Sequence, residues 1–374
     1  MTTMTMTTPL PIMAQNPNNT RTTLPRHTTM YTMLLLTAFA AVCAEAGWEA
    51  VAPLPGGRLN HCAAASESSQ HSGGTLFVVG GYDYPPPVYE RSLLIYDAKT
   101  NAWSRGPNMS TSRDSFGCAL VGDTLFAVAG ESAEYPFCLA SVETLNVSSP
   151  KAGWVSGPAL QHARQGHGMA AVGNTLYVAG GLMPNGTLLS SVEKLDLGAA
   201  EPVWVAAPPM LQARMYHGLA ALGSTLYAIG GMPPGLDVNP LSSVEALDTS
   251  AAAANNRDDG ITGGWRIVAP LPHAREKMAV ATGPDGKGIY VLGGCPARAP
   301  PPGYHDPCDT LLSTVLVYTP SSFAGAEGLG EWSALPSLPA PNAWLGAALM
   351  GSSLFATGGG TTYGTNGTYR LFIN

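Results

Sequence analysis

Residues 164–181 read RQGHGMAAVGNTLYVAGG, and residues 214–231 repeat the phrase as RMYHGLAALGSTLYAIGG. Each copy is an Arg turn, a small apolar run, a short turn carrying Gly, a second apolar run and two closing glycines. Two apolar runs joined by V-G-N-T or L-G-S-T are the signature of a tight β-hairpin. The double glycine relaxes the steric limits on the chain where it leaves the second strand. Further along each copy comes a run such as SVEKLD, then a Trp, then a Pro-containing turn that ends in the next Arg. Each unit thus offers four short strands.

Working outward, the phrase recurs through the chain with a period near 50 residues. The second strands end at Gly80-Gly81, Ala129-Gly130, Gly180-Gly181, Gly230-Gly231, Gly293-Gly294 and Gly358-Gly359. The offset tryptophans are Trp48, Trp103, Trp154, Trp204, Trp265 and Trp332, and the turn series is Arg58, Arg113, Arg164, Arg214 and Arg275, with Asn342 in the last place. One double glycine and one offset Trp per unit resemble the Kelch repeat. That resemblance covers residues 47–374 and implies an all-β, six-bladed propeller with four antiparallel strands per blade. The chain stops after YRLFIN, at a third-strand position, whereas Trp48 opens it with a strand that has no blade of its own. The expectation is that the strand around Gly47–Ala52 completes the last blade and closes the ring, which removes open sheet edges.

Composition agrees. Of 374 residues, 45% are hydrophobic and 11% charged, with 44 Gly and 32 Pro. That supports a large core, excludes long helices and argues against disorder. With 18 Lys+Arg against 25 Asp+Glu, there is no basic stripe for nucleic acid.

Residues 1–46 read as a leader. They carry Arg21, Arg26 and His27, with Glu45 as the first acid, and an apolar run over 33–44 leads to Ala44 and Ala46 in an A-x-A arrangement. This is a signal-peptide pattern, with cleavage after Ala46 and secretion expected. The run is too short for a permanent membrane span, which takes about 20 residues. The shortage of acid also suits an organelle transit peptide, and a cytoplasmic protein follows if the leader belongs to the gene model only. Cleavage leaves 16 basic and 24 acidic residues, net −8.

Loops after the second and fourth strands emerge on one face of such a propeller. In Kelch proteins this face often binds peptides or proteins, and the resemblance implies a protein partner, or a glycan, here. Candidate contacts are Arg58, Arg113, Arg164, Arg214 and Arg275, with Tyr82, Tyr84, Tyr89, Tyr135, Tyr304 and Trp344 as aromatic surface. The arginines have two readings. One is a basic ring at the pore mouth gripping an acidic partner, since the guanidinium fork matches carboxylates. The other is a repeat residue tying loops to backbone carbonyls. His61, His167 and His217 each follow an Arg by three residues, and they, like Glu143, Glu193 and Glu245, are read as repeat positions rather than metal ligands or catalytic acids. No metal or cofactor is expected.

Cleavage removes Cys43 and leaves five cysteines. The expected bridges are Cys295–Cys308, bracketing a Pro-rich loop, and Cys118–Cys138 within one unit, with Cys62 as a competitor. Sequons stand at Asn108, Asn146, Asn185 and Asn366. The reading is a monomeric, secreted, non-catalytic binding module. The alternatives are a sugar-acting enzyme resembling sialic-acid mutarotases and a copper oxidase resembling galactose oxidase, the latter suggested by Tyr304-His305 and Tyr216-His217.

Overall fold

The computed structural model describes residues 47–66, 74–83, 88–235, 239–250, 264–283, 286–296, 308, 310–321, 329–360 and 363–373. The leader, Tyr84, Tyr304 and most of the 251–264 and 320–331 insertions lie outside the described residues. Six four-stranded antiparallel sheets follow in chain order. Blade 1 is Cys62–Ser66, Thr75–Val79, Leu93–Asp97 and Ala102–Arg105; blade 2 is Gly117–Val121, Thr124–Glu131, Cys138–Asn146 and Val155–Gly157. Blade 3 is Gly168–Val172, Thr175–Ala179, Val192–Asp196 and Trp204–Ala207; blade 4 is Gly218–Leu222, Thr225–Ile229, Val244–Asp248 and Arg266–Val268. Blade 5 is Ala279–Thr282, Ile289–Leu292, Val315–Thr319 and Glu331–Leu335.

Blade 6 takes Gly346–Met350, Ser353–Thr357 and Thr368–Phe372 from the end of the chain and Trp48–Ala50 from its start. Trp48 pairs with Leu371 and Ala50 with Tyr369. The closure expected from the sequence is therefore present, and it turns two edges into one hydrogen-bonded ladder.

The second strands are buried along most of their length because each lies between neighbouring blades. The core accordingly sits between blades: Tyr227 and Ile229 of blade 4 pack with Ile289 and Val291 of blade 5, and Tyr290 and Leu292 of blade 5 with Leu349 and Leu354 of blade 6. The tryptophans join blades by a hydrogen bond as well as by area. Each of the six offset indoles donates its Nε1–H to a carbonyl in the turn that leaves the preceding blade: Trp48 to Pro336, Trp103 to Ala52, Trp154 to Pro107, Trp204 to Pro158, Trp265 to Pro208 and Trp332 to Ala269, at 2.8–3.0 Å.

First strands surround the axis and leave a channel of about 560 Å³ whose wall includes Ala64, Ala119, Ala171, Ala221, Ala281 and Ala348. Small side chains are needed there because six strands converge. In blades 2, 3 and 4 the first residue of this strand is Gly117, Gly168 or Gly218, and a Cβ would meet Met169, Leu219 or Val280 of the next blade at 2.1–2.5 Å. Between blades 1 and 2 the same place is filled by a disulfide, Cys62–Cys118, with Cα atoms 5.8 Å apart.

This corrects the expected Cys118–Cys138 pairing. Those two residues lie on the first and third strands of one blade, and two strand spacings of about 4.8 Å exceed the roughly 7 Å that a disulfide can span. Cys138 is buried and free, and Cys295–Cys308 is bridged as expected. Since blades 2, 3 and 4 manage with Gly against a larger side chain, the double substitution Cys62→Gly/Cys118→Leu should retain more stability than Cys62→Ser/Cys118→Ser. Thermal melts of the two variants compare them directly, and equal losses would contradict the equivalence.

Candidate functional site

The loop face is built by the Arg turns, and the guanidinium groups point into the blades. Arg113, Arg164, Arg214 and Arg275 have no exposed surface and Arg58 has 3%. Nη1 of each donates to the carbonyl at the first position of its blade's double glycine: Gly80, Ala129, Gly180, Gly230 and Gly293, at 2.8–3.0 Å. Nη2 then reaches a hydroxyl just before the third strand, Ser92, Ser191 or Ser243, or within its longer counterpart in blade 2, Ser141. In blades 2, 3 and 4 it also pairs with Glu143 at 3.1 Å, Glu193 at 2.7 Å and Glu245. The glutamates finish the clamp by accepting backbone N–H groups of the Arg turn, from Ser110 and Thr111, from Gln161, and from Leu211 and Gln212. These arginines are spent internally, so the basic ring is not presented to a partner and the repeat-residue reading is the one the geometry supports. In the last blade Asn342 Nδ2 makes the same contact with Gly358.

The clamp has a second form. Blades 1 and 5 carry Leu94 and Leu316 where the other three carry Glu, and there the turn residue that would donate to the carboxylate is Pro55 or Pro272. Glutamate is present where an N–H must be satisfied and absent where Pro has removed it. Arg58 turns to Glu90 at 3.9 Å, and burial lowers Arg275 to about 10, with no carboxylate partner for it among the described residues.

Two residues beyond each Arg stand Asn60, Ser115, Gly166, Tyr216, Lys277 and Trp344, all left-handed with φ between 49 and 62°. Their backbones form a closed ring. The N–H of each donates to the carbonyl of its counterpart in the preceding blade, from Ser115→Asn60 round to Asn60→Trp344, at 2.7–3.2 Å. Left-handed backbone costs a non-Gly residue about 1–2 kcal/mol, which the ring geometry must offset at five of the six positions. Its side chains differ in every blade, as a recognition surface on a fixed scaffold would. Lys277 is buried, with its ammonium 4.5 Å from the Trp344 ring centroid and 5.3 Å from that of Tyr216.

Trp344, expected on the surface, is thus 7% exposed and caps the axis. Tyr82 is half-buried, pairs with Leu59 and stacks edge-on against Tyr89 at 5.1 Å. Tyr135 is 88% exposed, and Phe137, not singled out from the sequence, stands beside it at 59% in edge-to-face contact. His61, His167 and His217 are buried at one repeat position in separate blades, and no three His, Cys, Asp or Glu side chains converge as a metal set among the described residues.

One further pair escaped sequence reading. Asp114 and Glu131 face each other in an isolated antiparallel bridge, each N–H donating to the other's carbonyl at 2.9 Å. In the other blades this bridge joins Leu59–Tyr82, Gln165–Leu182, Met215–Met232, Glu276–Cys295 and Ala343–Gly360. Only blade 2 sets two carboxylates opposite. Burial, followed by the repulsion of Glu131, pushes Asp114 up to about 8, and the repeat register of Arg113 and the double glycine could have located the pair.

The family model described as the Kelch motif matches residues 68–110 and 163–211. Among curated proteins the chain is similar to Kelch-like protein 36 of Bos taurus, 30% identical over 112 residues, covering 28% of this chain and 18% of that protein. It is similar also to two Homo sapiens proteins: Kelch-like protein 23, 30% identical over 31% of this chain and 20% of that protein, and Kelch-like protein 34, 32% identical over 36% and 21%. The matches span about a fifth of these relatives' length. Taken with six blades, five double-glycine strand ends, a sixth of Ala129-Gly130, and six stapling tryptophans, they place this chain in the Kelch-repeat family of β-propellers.

Proposed function

We propose that this propeller is a non-catalytic protein-binding module that engages its partner through the loop face of blades 1 and 2. The observation that carries the reading is the pair Tyr135 and Phe137, two large aromatic side chains held in solvent on a rigid scaffold. Exposed aromatics of this kind anchor interfaces because they bury much area at low entropic cost. We further propose that the binding takes place in the secretory pathway or outside the cell. Two disulfides support an oxidising compartment, and all four sequon asparagines, Asn108, Asn146, Asn185 and Asn366, are exposed.

The double variant Tyr135→Ala/Phe137→Ala should lose binding to a protein captured from conditioned medium by at least about tenfold, as removal of a hot spot does. Its melting temperature should stay unchanged, because neither ring belongs to the core. Phe372→Ala, at the end of the third strand of blade 6 and also exposed, serves as control and should bind normally. Binding retained by the double variant and lost by the control would overturn the assignment.

A further inference from the structure

We propose that Asp114 and Glu131 form a pocket for an arginine side chain on a basic segment of the protein partner. The proposal rests on the loop-face reading above and adds the chemistry of what is recognised.

Side chains of a hydrogen-bonded antiparallel pair project to the same side of the ladder, about 5.5 Å apart at the backbone, and like charges placed so are destabilising. Nothing in the fold requires this pair, since five other blades make the same bridge without two carboxylates. Asp114 is 6% exposed and its Oδ1 accepts no hydrogen bond. A buried acceptor left in that state is costly unless something supplies a donor. Glu131 is half-exposed, so the pair is buried at one end and open at the other.

The surroundings select the donor. The groups that interact with the two carboxyls are the Asn60 side chain and the phenol of Tyr89, and burial and the two acids push that phenol up to about 12. Among the described residues neither Asp114 nor Glu131 is paired with a cationic side chain. Tyr89 and its edge-on partner Tyr82 come from blade 1, and Tyr135 and Phe137 follow Glu131 along the chain. A planar guanidinium can bridge two carboxylates with paired N–H groups and lie against an aromatic face, whereas an ammonium offers a point charge. The nearby loop charges agree in sign: Asp83, Glu90 and Glu134 against Arg91 among the described residues of these two loops.

A partner built to this surface is therefore basic, the opposite of what an arginine ring would select. Seating a guanidinium also requires both acids to be ionised. Asp114 is held protonated below about pH 8 in the free protein, so binding near neutrality should expel a proton.

The test uses the full-length protein and a fluorescein-labelled octa-arginine peptide, with octa-lysine as the second probe. Titration calorimetry in buffers of different ionisation enthalpy should show up to one proton released per octa-arginine bound at pH 7. Asp114→Asn should weaken octa-arginine at least tenfold and abolish the proton release. Asp123→Asn, which removes one charge from the hairpin on the opposite face, should change affinity less than twofold.

Equal weakening by Asp114→Asn and Asp123→Asn would mean attraction to net charge only and would overturn the pocket. Octa-lysine binding as tightly as octa-arginine, with the same proton release, would overturn the guanidinium assignment. Because the probes are free peptides, a negative result here leaves the Tyr135/Phe137 experiment standing, and the reverse also holds.

Discussion

Arg214→Ala should lower stability by about 3–5 kcal/mol, a fall in melting temperature on the order of 10 °C. The substitution leaves Glu245, which has no exposed surface, without the guanidinium that compensates it. It also takes the side-chain donor from the carbonyl of Gly230 and one of two donors from that of Ser243, which keeps the Gly230 N–H. Breaking a buried pair from one side costs far more than the pair contributes as a unit, so the loss should exceed that of any single surface change. Glu245→Leu is informative in the other direction. It strands the N–H groups of Leu211 and Gln212, which donate to that carboxylate, and Leu211→Pro deletes the first of them. The double variant reproduces the pattern of blades 1 and 5, and it should be more stable than the sum of its single changes by about 0.5–1 kcal/mol. Denaturant unfolding of the three variants measures the coupling. An Arg214→Ala protein that melts within two or three degrees of the parent and loses partner affinity would restore the surface reading of the arginine ring.

Repetition made the fold legible and obscured the site. Six copies of one phrase let the double glycines, the tryptophans and even the closing strand at Trp48 be placed from order alone, because each is demanded by the same local geometry in every blade. The same recurrence drew attention to the arginines, and a residue repeated in five blades is there for the scaffold. What a propeller offers to a partner lies in the positions that break the repeat. Asp114 opposite Glu131, Lys277 between Tyr216 and Trp344, and the Tyr135/Phe137 loop each occur once. The first two pairings are not visible without the register that sets them side by side, and in the third Tyr135 drew notice from the sequence while Phe137 did not. Cys118 shows the same limit, since membership of one unit suggested Cys138 while the neighbouring blade's Cys62 was closer in space.

A steep loss of stability in mild acid should follow from three positions where the repeat does vary. The third residue after the Arg is His61, Phe116, His167, His217, Met278 or Leu345, and every one of these is buried. Burial, reinforced by the charge of Arg58 or Arg164, lowers His61 and His167 to about 3, and burial with Arg214 holds His217 well below its ordinary value. Unfolded, each imidazole titrates near 6.5. Between those values the unfolded chain binds more protons than the native one, so stability falls as pH drops through 6.5 toward 3, by about 1.4 kcal/mol per unit for each histidine. At pH 5 that is about 2 kcal/mol from each of His61 and His167.

Asp114 acts with the opposite sign. Its folded value is about 8 against an ordinary 3.8, so the native state is favoured as pH falls from 8 toward 4 and disfavoured as pH rises through 8. One carboxyl offsets about one histidine, and three histidines leave a net loss below pH 6.5, with a stability maximum near that value. Urea midpoints at pH 8.0, 6.5, 5.0 and 4.0 trace the curve. His167→Met/His217→Met uses the residue that blade 5 already carries at this position and should flatten the acid limb, while Asp114→Asn should steepen it and remove the decline above pH 7. A double-methionine variant that keeps the parental acid slope would show that these histidines do not govern it.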